Sequence, residues 1–250
     1  MNWNRIVNKI KPYVVKIESP KGYGTGFLCL YNYNKSWCGI ATALHVVAYA
    51  DKWQQPIKII NQQGQPLFLK ADSRVIIIDQ NTDSAMILFP KAKDYQLPDD
   101  LIRLRPLDCI LDIGSEVGWL GYPYLEQDKL CFFSGCISAR NEEKKYYLID
   151  GVSINGVSGG PVLSFAEEGT EIIGIICAYM ANVDVGSNTP GLSIAQDVSH
   201  FHKVGDQIKT IDDANKRKQE LIKEQGKKEE DKEKSLPAIS ANPSNSQKAI

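Results

Sequence analysis

The stretch Asn155-Gly156-Val157-Ser158-Gly159-Gly160-Pro161 sets one serine hydroxyl among three glycines and a proline, between two apolar runs. Glycine admits φ > 0 and close backbone approach, so the stretch reads as a tight turn with the hydroxyl at its apex. Such a turn can aim successive N–H groups at one point, which is what a developing oxyanion needs. An ordinary Gly-rich turn between strands has the same composition. Acyl transfer by a serine further requires a base to take the hydroxyl proton and an acid to orient that base.

Three histidines are available as the base: His45, His200 and His202. His45 sits at a strand end inside Thr42-Ala43-Leu44-His45-Val46-Val47, where a structural role is the competing reading. His200 and His202 fall on a polar helical segment, on different faces, with no cysteine pair at zinc spacing nearby. No metal site and no cofactor are therefore expected. For the acid, Asp83 stands directly before the apolar run Ala85-Met86-Ile87-Leu88. A half-buried carboxylate there is costly without a partner. Asp79 ends the preceding strand and is the local competitor, and either could be a plain turn aspartate.

These groups have to be positioned by β-structure. Short β-rich runs recur at 13–18, 24–31, 37–43, 56–60, 66–70, 74–78 and 85–89, separated by Asn, Gly and Asp turns. A second series covers 116–120, 130–139, 146–150, 160–164, 171–179 and 191–195. The class expected is all-β, a barrel or sandwich. Leu44 to Ala50 could form a helical turn. The predicted organisation is an N-terminal β unit over 1–92, a connection over 93–110 and a second β unit over 111–197. A helix over 198–225, seated through Val198, Phe201, Val204 and Ile208, and a charged, disordered tail over 226–250 complete it.

The 250 residues carry a net charge of -1, which favours neither nucleic acid nor an anionic membrane surface. No apolar run approaches a membrane span, and the N-terminal residues lack the build of a signal peptide, so a cytoplasmic location is expected. In that compartment the six cysteines read as buried thiols. Only Cys29 and Cys38 are placed to meet, as cross-strand neighbours of one hairpin.

Four motifs occur in order: Gly24-Thr25-Gly26-Phe27, Thr42-Ala43-Leu44-His45-Val46-Val47, Asp83-Ser84-Ala85-Met86-Ile87-Leu88 and Gly156-Val157-Ser158-Gly159-Gly160-Pro161. Together, over residues 10–200, they resemble trypsin-like (chymotrypsin-fold) serine proteases, especially the bacterial high-temperature-requirement branch. The resemblance implies two six-stranded antiparallel β-barrels with the active site between them. It also implies His45 as general base, Asp83 as its orienting acid and Ser158 as nucleophile. The N–H groups of Gly156 and Ser158 would form the oxyanion hole.

Departures from the family pattern carry further expectations. Val157 stands where digestive relatives have the aspartate that receives a new N-terminus, so that zymogen switch is unavailable. Val152 occupies the pocket base, which speaks against Lys or Arg at P1 and for a modest apolar residue. By the same resemblance Cys177, Ala178 and Tyr179 match the strand that pairs with substrate backbone. Gly191 matches a pocket wall, and Tyr179 would narrow the pocket. Val46 and Ile154 replace cysteines of secreted relatives. The expected function is a serine endopeptidase acting on protein or peptide, without nucleic-acid or membrane partners. The tail reads as a solubilising extension or, failing that, a partner contact. The alternative is a catalytically silent relative used as a binding or scaffold module. An esterase-like hydrolase with the same triad is a third reading.

Overall fold

Runs of β-branched and aromatic residues between turn residues form thirteen strands in the computed structural model, which describes residues 2–166, 169–179 and 192–234. Seven of them make one antiparallel sheet: β1 (Val14–Ser19), β2 (Gly22–Tyr31), β3 (Trp37–Ala43), β4 (Ile57–Ile60), β5 (Pro66–Leu69), β6 (Val75–Asp79) and β7 (Ser84–Pro90). Their spatial order is β5-β4-β1-β2-β3-β7-β6. The expected two-barrel architecture is present, with a difference in this first half. Its sheet has seven strands and curls into a half-barrel without pairing its edges β5 and β6. At that seam the buried guanidinium of Arg74 donates to the carbonyls of Leu69, Ala50 and Gln55. The side chain thus ties the end of β5 to the helix and loop that follow β3.

The second half is a closed six-stranded barrel of β8 (Glu116–Gly121), β9 (Cys131–Asn141), β10 (Tyr146–Asp150), β11 (Pro161–Ala166), β12 (Gly169–Tyr179) and β13 (Ser193–Asp197). Its interior is filled by Val117, Trp119, Ile137, Tyr147, Ile149, Val162 and Ile173. The other core cluster is not confined to the first sheet. It runs from Phe27, Ile40 and Ile87 into Leu120, Leu163, Ile172 and Ile175 of the barrel, so apolar burial welds the two halves together.

One helix adds to that weld. The helix α1 (Trp3–Ile10) was not expected from the sequence. It is capped by the Asn2 side chain and lays Trp3 against Phe132 and Phe165 of the barrel, with the indole Nε1 donating to Glu116 at 2.5 Å. A second helix, α2 (Leu44–Lys52), follows β3 directly and is longer than the single turn expected. The C-terminal helix, α3, runs Ser199–Lys234, and its Lys- and Glu-rich composition sustains helix beyond residue 225. Val198, Phe201 and Val204 are buried at its start, with Ile208 packed beside them and Phe201 edge-on to Phe27. The chain from Thr210 onward forms a separate unit, in which Ile211, Leu221 and Ile222 are exposed. No helix among the described residues is long and apolar enough to cross a membrane.

Cys29 and Cys38 do not meet as the hairpin spacing suggests. Leu28 faces Ile40 and Leu30 faces Gly39, which leaves Cys29 as the extra residue of a β-bulge while Cys38 faces Tyr31. All six cysteines are free thiols.

Candidate active site

The strand β3 carries buried Ile40, Ala41 and Ala43 and delivers His45 into the first turn of α2. Asp83 ends the turn between β6 and β7 in a left-handed conformation, φ 45°, which a short acidic side chain tolerates better than most. Three bonds lock the two residues. The Leu44 N–H donates to the Asp83 carbonyl at 2.8 Å, the His45 N–H donates to Asp83 Oδ1 at 3.0 Å, and His45 Nδ1 lies 2.7 Å from Asp83 Oδ2. An ionised carboxylate only accepts, so Nδ1 carries the proton and Nε2 is left as an acceptor. The imidazole is 48% exposed and the carboxylate 36%, open enough to meet a substrate.

The serine turn is held from both halves. Its carbonyls from residue 154 to 158 are engaged: Ile154 accepts from the Val157 N–H, Asn155 from the Tyr124 N–H, Gly156 from the Thr25 hydroxyl, Val157 from the Gly160 N–H and Ser158 from the Thr25 N–H. The N–H groups of Val157, Gly159 and Gly160 are engaged as well. Among the described residues no acceptor takes the N–H of Gly156 or of Ser158. A planar trans peptide points its C=O and N–H in opposite directions, so fixing the Asn155 and Val157 carbonyls also fixes where those two N–H groups aim. Val157 itself is fully buried in the barrel core, in contact distance of Gly121.

Glycines let this turn approach the first sheet. A Cβ on Gly159, whose φ is +84°, would overlap the Thr25 carbonyl oxygen and the Thr42 hydroxyl and lie 2.8 Å from the Ala43 nitrogen, two residues before His45. A Cβ on Gly24 would meet Val46 at 2.5 Å and the Ser158 carbonyl at 3.0 Å. Gly159, the neighbour of Ser158, therefore packs against the strand end that presents His45.

The remaining expected residues are more scattered. Cys177 lies beneath Asp83, its thiol 3.7 Å from the Asp83 carbonyl, and burial pushes that thiol far above its ordinary range. Ala178 and Tyr179 pair with Ile194 and Ser193 in the β12–β13 ladder. Val152 is 45% exposed in the bend before the serine turn, beside Gly151, whose carbonyl accepts from the Ser193 hydroxyl at 2.6 Å. Gly191 lies outside the described residues. His200 and His202 serve the fold: their Nε2 atoms lie 3.3 Å from the Ile77 carbonyl and 2.8 Å from the Arg105 carbonyl.

Sequence reasoning gave Thr25 no role beyond its motif. A hydroxyl between two glycines of an otherwise apolar strand was the available signal, since a buried hydroxyl must find partners.

No family model and no curated protein sequence matches the chain. Among solved structures it is similar to the serine endoprotease from Yersinia pestis, with a TM-score of 0.61 at 23% identity, over 84% of this chain and 67% of that one. At that identity the likeness shows a shared fold.

Proposed function

We propose that the chain is a serine endopeptidase that cleaves protein or peptide substrates through an acyl-enzyme at Ser158. His45 Nε2 takes the Ser158 hydroxyl proton as Oγ attacks the scissile carbonyl. It then returns that proton to the leaving amine, and water repeats the sequence to release the acid. Asp83 holds the Nδ1–H tautomer and stabilises the imidazolium that forms. The N–H groups of Gly156 and Ser158 receive the oxyanion, each donor contributing about 3–4 kcal/mol to lowering the barrier.

The observation that carries this reading is the hydrogen-bond inventory of the serine turn. Each carbonyl from Ile154 to Ser158 has a donor, and from Gly156 to Gly160 the N–H groups of Gly156 and Ser158, two residues apart, are the two without an acceptor among the described residues. A turn built only to connect strands has no reason to hold two backbone donors open beside a serine. Buried Val157 supports operation without N-terminal zymogen activation, because the anchor of the turn is apolar instead of an ion pair. Val152 before the turn supports an apolar P1 preference over Lys or Arg. Six free thiols support a reducing compartment, hence the cytoplasm.

A fluorophosphonate probe tests the proposal. Labelling of the native protein that disappears on heat denaturation and in Ser158→Ala is the expected result. A wild type that never labels rejects the enzyme and leaves the scaffold reading. A peptide-library digest then separates endopeptidase from esterase.

A further inference from the structure

The geometry points to Thr25 as a positioning residue for the oxyanion donors: it presets the serine turn from the first sheet and takes the place of an ion-pair activation switch. The inference rests on the endopeptidase reading and adds to it how the site is kept assembled before substrate arrives.

Thr25 lies in β2 and is fully buried. Every polar group it has is used, and all but one contact involves the barrel. Its N–H donates to the Ser158 carbonyl at 2.8 Å. Its hydroxyl donates to the Gly156 carbonyl at 2.8 Å and accepts from the Tyr122 N–H at 3.0 Å. Its carbonyl accepts from the Thr42 hydroxyl at 2.7 Å, which ties it to the strand leading to His45. A hydroxyl has one proton to donate, and here the Tyr122 N–H directs that proton to Gly156.

The effect on the turn is specific. Gly156 has a φ of +93° and sits between the peptide that carries its own N–H and the peptide held by Thr25. Tyr122 and Tyr124 crowd the same glycine: a Cβ on it would overlap the Tyr122 carbonyl and lie 3.2 Å from the Tyr124 nitrogen. The Tyr124 N–H in turn donates to Asn155 at 2.7 Å, and its ring stacks on Tyr23, two residues before Thr25. Thr25 therefore grips the turn directly at residues 156 and 158, and through residues 122–124 at residue 155. Losing the hydroxyl would strand a half-buried acceptor on Gly156 and a buried donor on Tyr122. The cheapest relief is rotation of the adjoining peptides, which redirects the Gly156 N–H.

Steady-state kinetics on Thr25→Val and Thr25→Ser, read beside wild type, test this. Thr25→Val keeps shape and removes the hydroxyl. Its kcat should fall between about 10-fold and 10²-fold, approaching the loss of one oxyanion donor, with KM within about threefold. Thr25→Ser should recover kcat to within about threefold of wild type. A folded Thr25→Val with wild-type kcat overturns the inference, as does a fall borne by KM alone. Crystal structures of ligand-free wild type and Thr25→Val give a readout independent of turnover, and the wild-type structure gives one independent of whether the variant folds. A wild-type 155–156 peptide with its N–H turned away from Ser158, or an unchanged turn in Thr25→Val, overturns the inference. An inactive wild type with the turn as described rejects the endopeptidase reading instead, and the altered turn in Thr25→Val still supports Thr25's role.

Discussion

Replacing Gly159 by alanine perturbs the joint between the two halves at one atom. The added methyl would overlap the Thr25 carbonyl oxygen and the Thr42 hydroxyl, both on central strands of the first sheet, and crowd the Ala43 nitrogen. None of these can step aside, because Thr25 and Thr42 are fully buried and bonded to each other. Restoring ordinary contact requires the turn to withdraw by about 1 Å, carrying Ser158 away from the strand end that presents His45. Misplacement of that size costs about 10²-fold in rate. A φ of +84° adds roughly 1–2 kcal/mol for a residue with a Cβ. For a unit of this size that lowers Tm by about 2–8 °C. The assay is the second-order rate of fluorophosphonate labelling, read beside thermal unfolding. Labelling at the wild-type rate in a folded Gly159→Ala would show that the turn does not depend on this approach, and the account of the joint would fail.

Asp83→Asn should leave the fold intact and lower kcat by about 10⁴-fold, because an amide can hold the wrong imidazole tautomer; activity within tenfold of wild type would remove Asp83 from the triad. Burial holds His200 below the ordinary histidine range, with Lys203 adding to the effect. The unfolded chain therefore binds the extra proton, and stability is lost as pH falls below the unfolded value near 6.5. Between pH 7.5 and 5.5, Tm should fall more in wild type than in His200→Gln; equal slopes would place the sensitivity elsewhere. Denatured protein should titrate six thiols, and a reductant should leave Tm unchanged, whereas a 29–38 disulfide would have added roughly 2 kcal/mol or more.

Much of the strand layout could be read from the sequence because runs of β-branched and aromatic residues and the turn residues between them are local signals. The run 37–43 becomes β3 with the same bounds, and 146–150 becomes β10. What stayed hidden depends on distant partners. The bulge at Cys29 comes from how β2 slides past β3, and no composition rule marks it. The helix at Trp3 is marginal by propensity and gains its place from Phe132 and Phe165, more than 120 residues away. At the candidate site the pairing of His45 with Asp83 was implied by the family resemblance, while the residues alone said only that a carboxylate before an apolar strand needs a partner. The part played by Thr25 was not, because one hydroxyl joining three segments is a property of the assembled halves.

The order of the parts along the chain has a consequence during synthesis. His45 and Asp83 leave the ribosome on one folding half, and Ser158 follows on the other after an interval on the order of ten seconds. The Ser158 carbonyl finds its donor only when the turn meets Thr25, and Phe201 reaches Phe27 later still. On the endopeptidase proposal, a partly made chain thus carries a base without a nucleophile, so the emerging polypeptide and its neighbours on the ribosome meet a competent hydrolase only when nearly the whole unit exists.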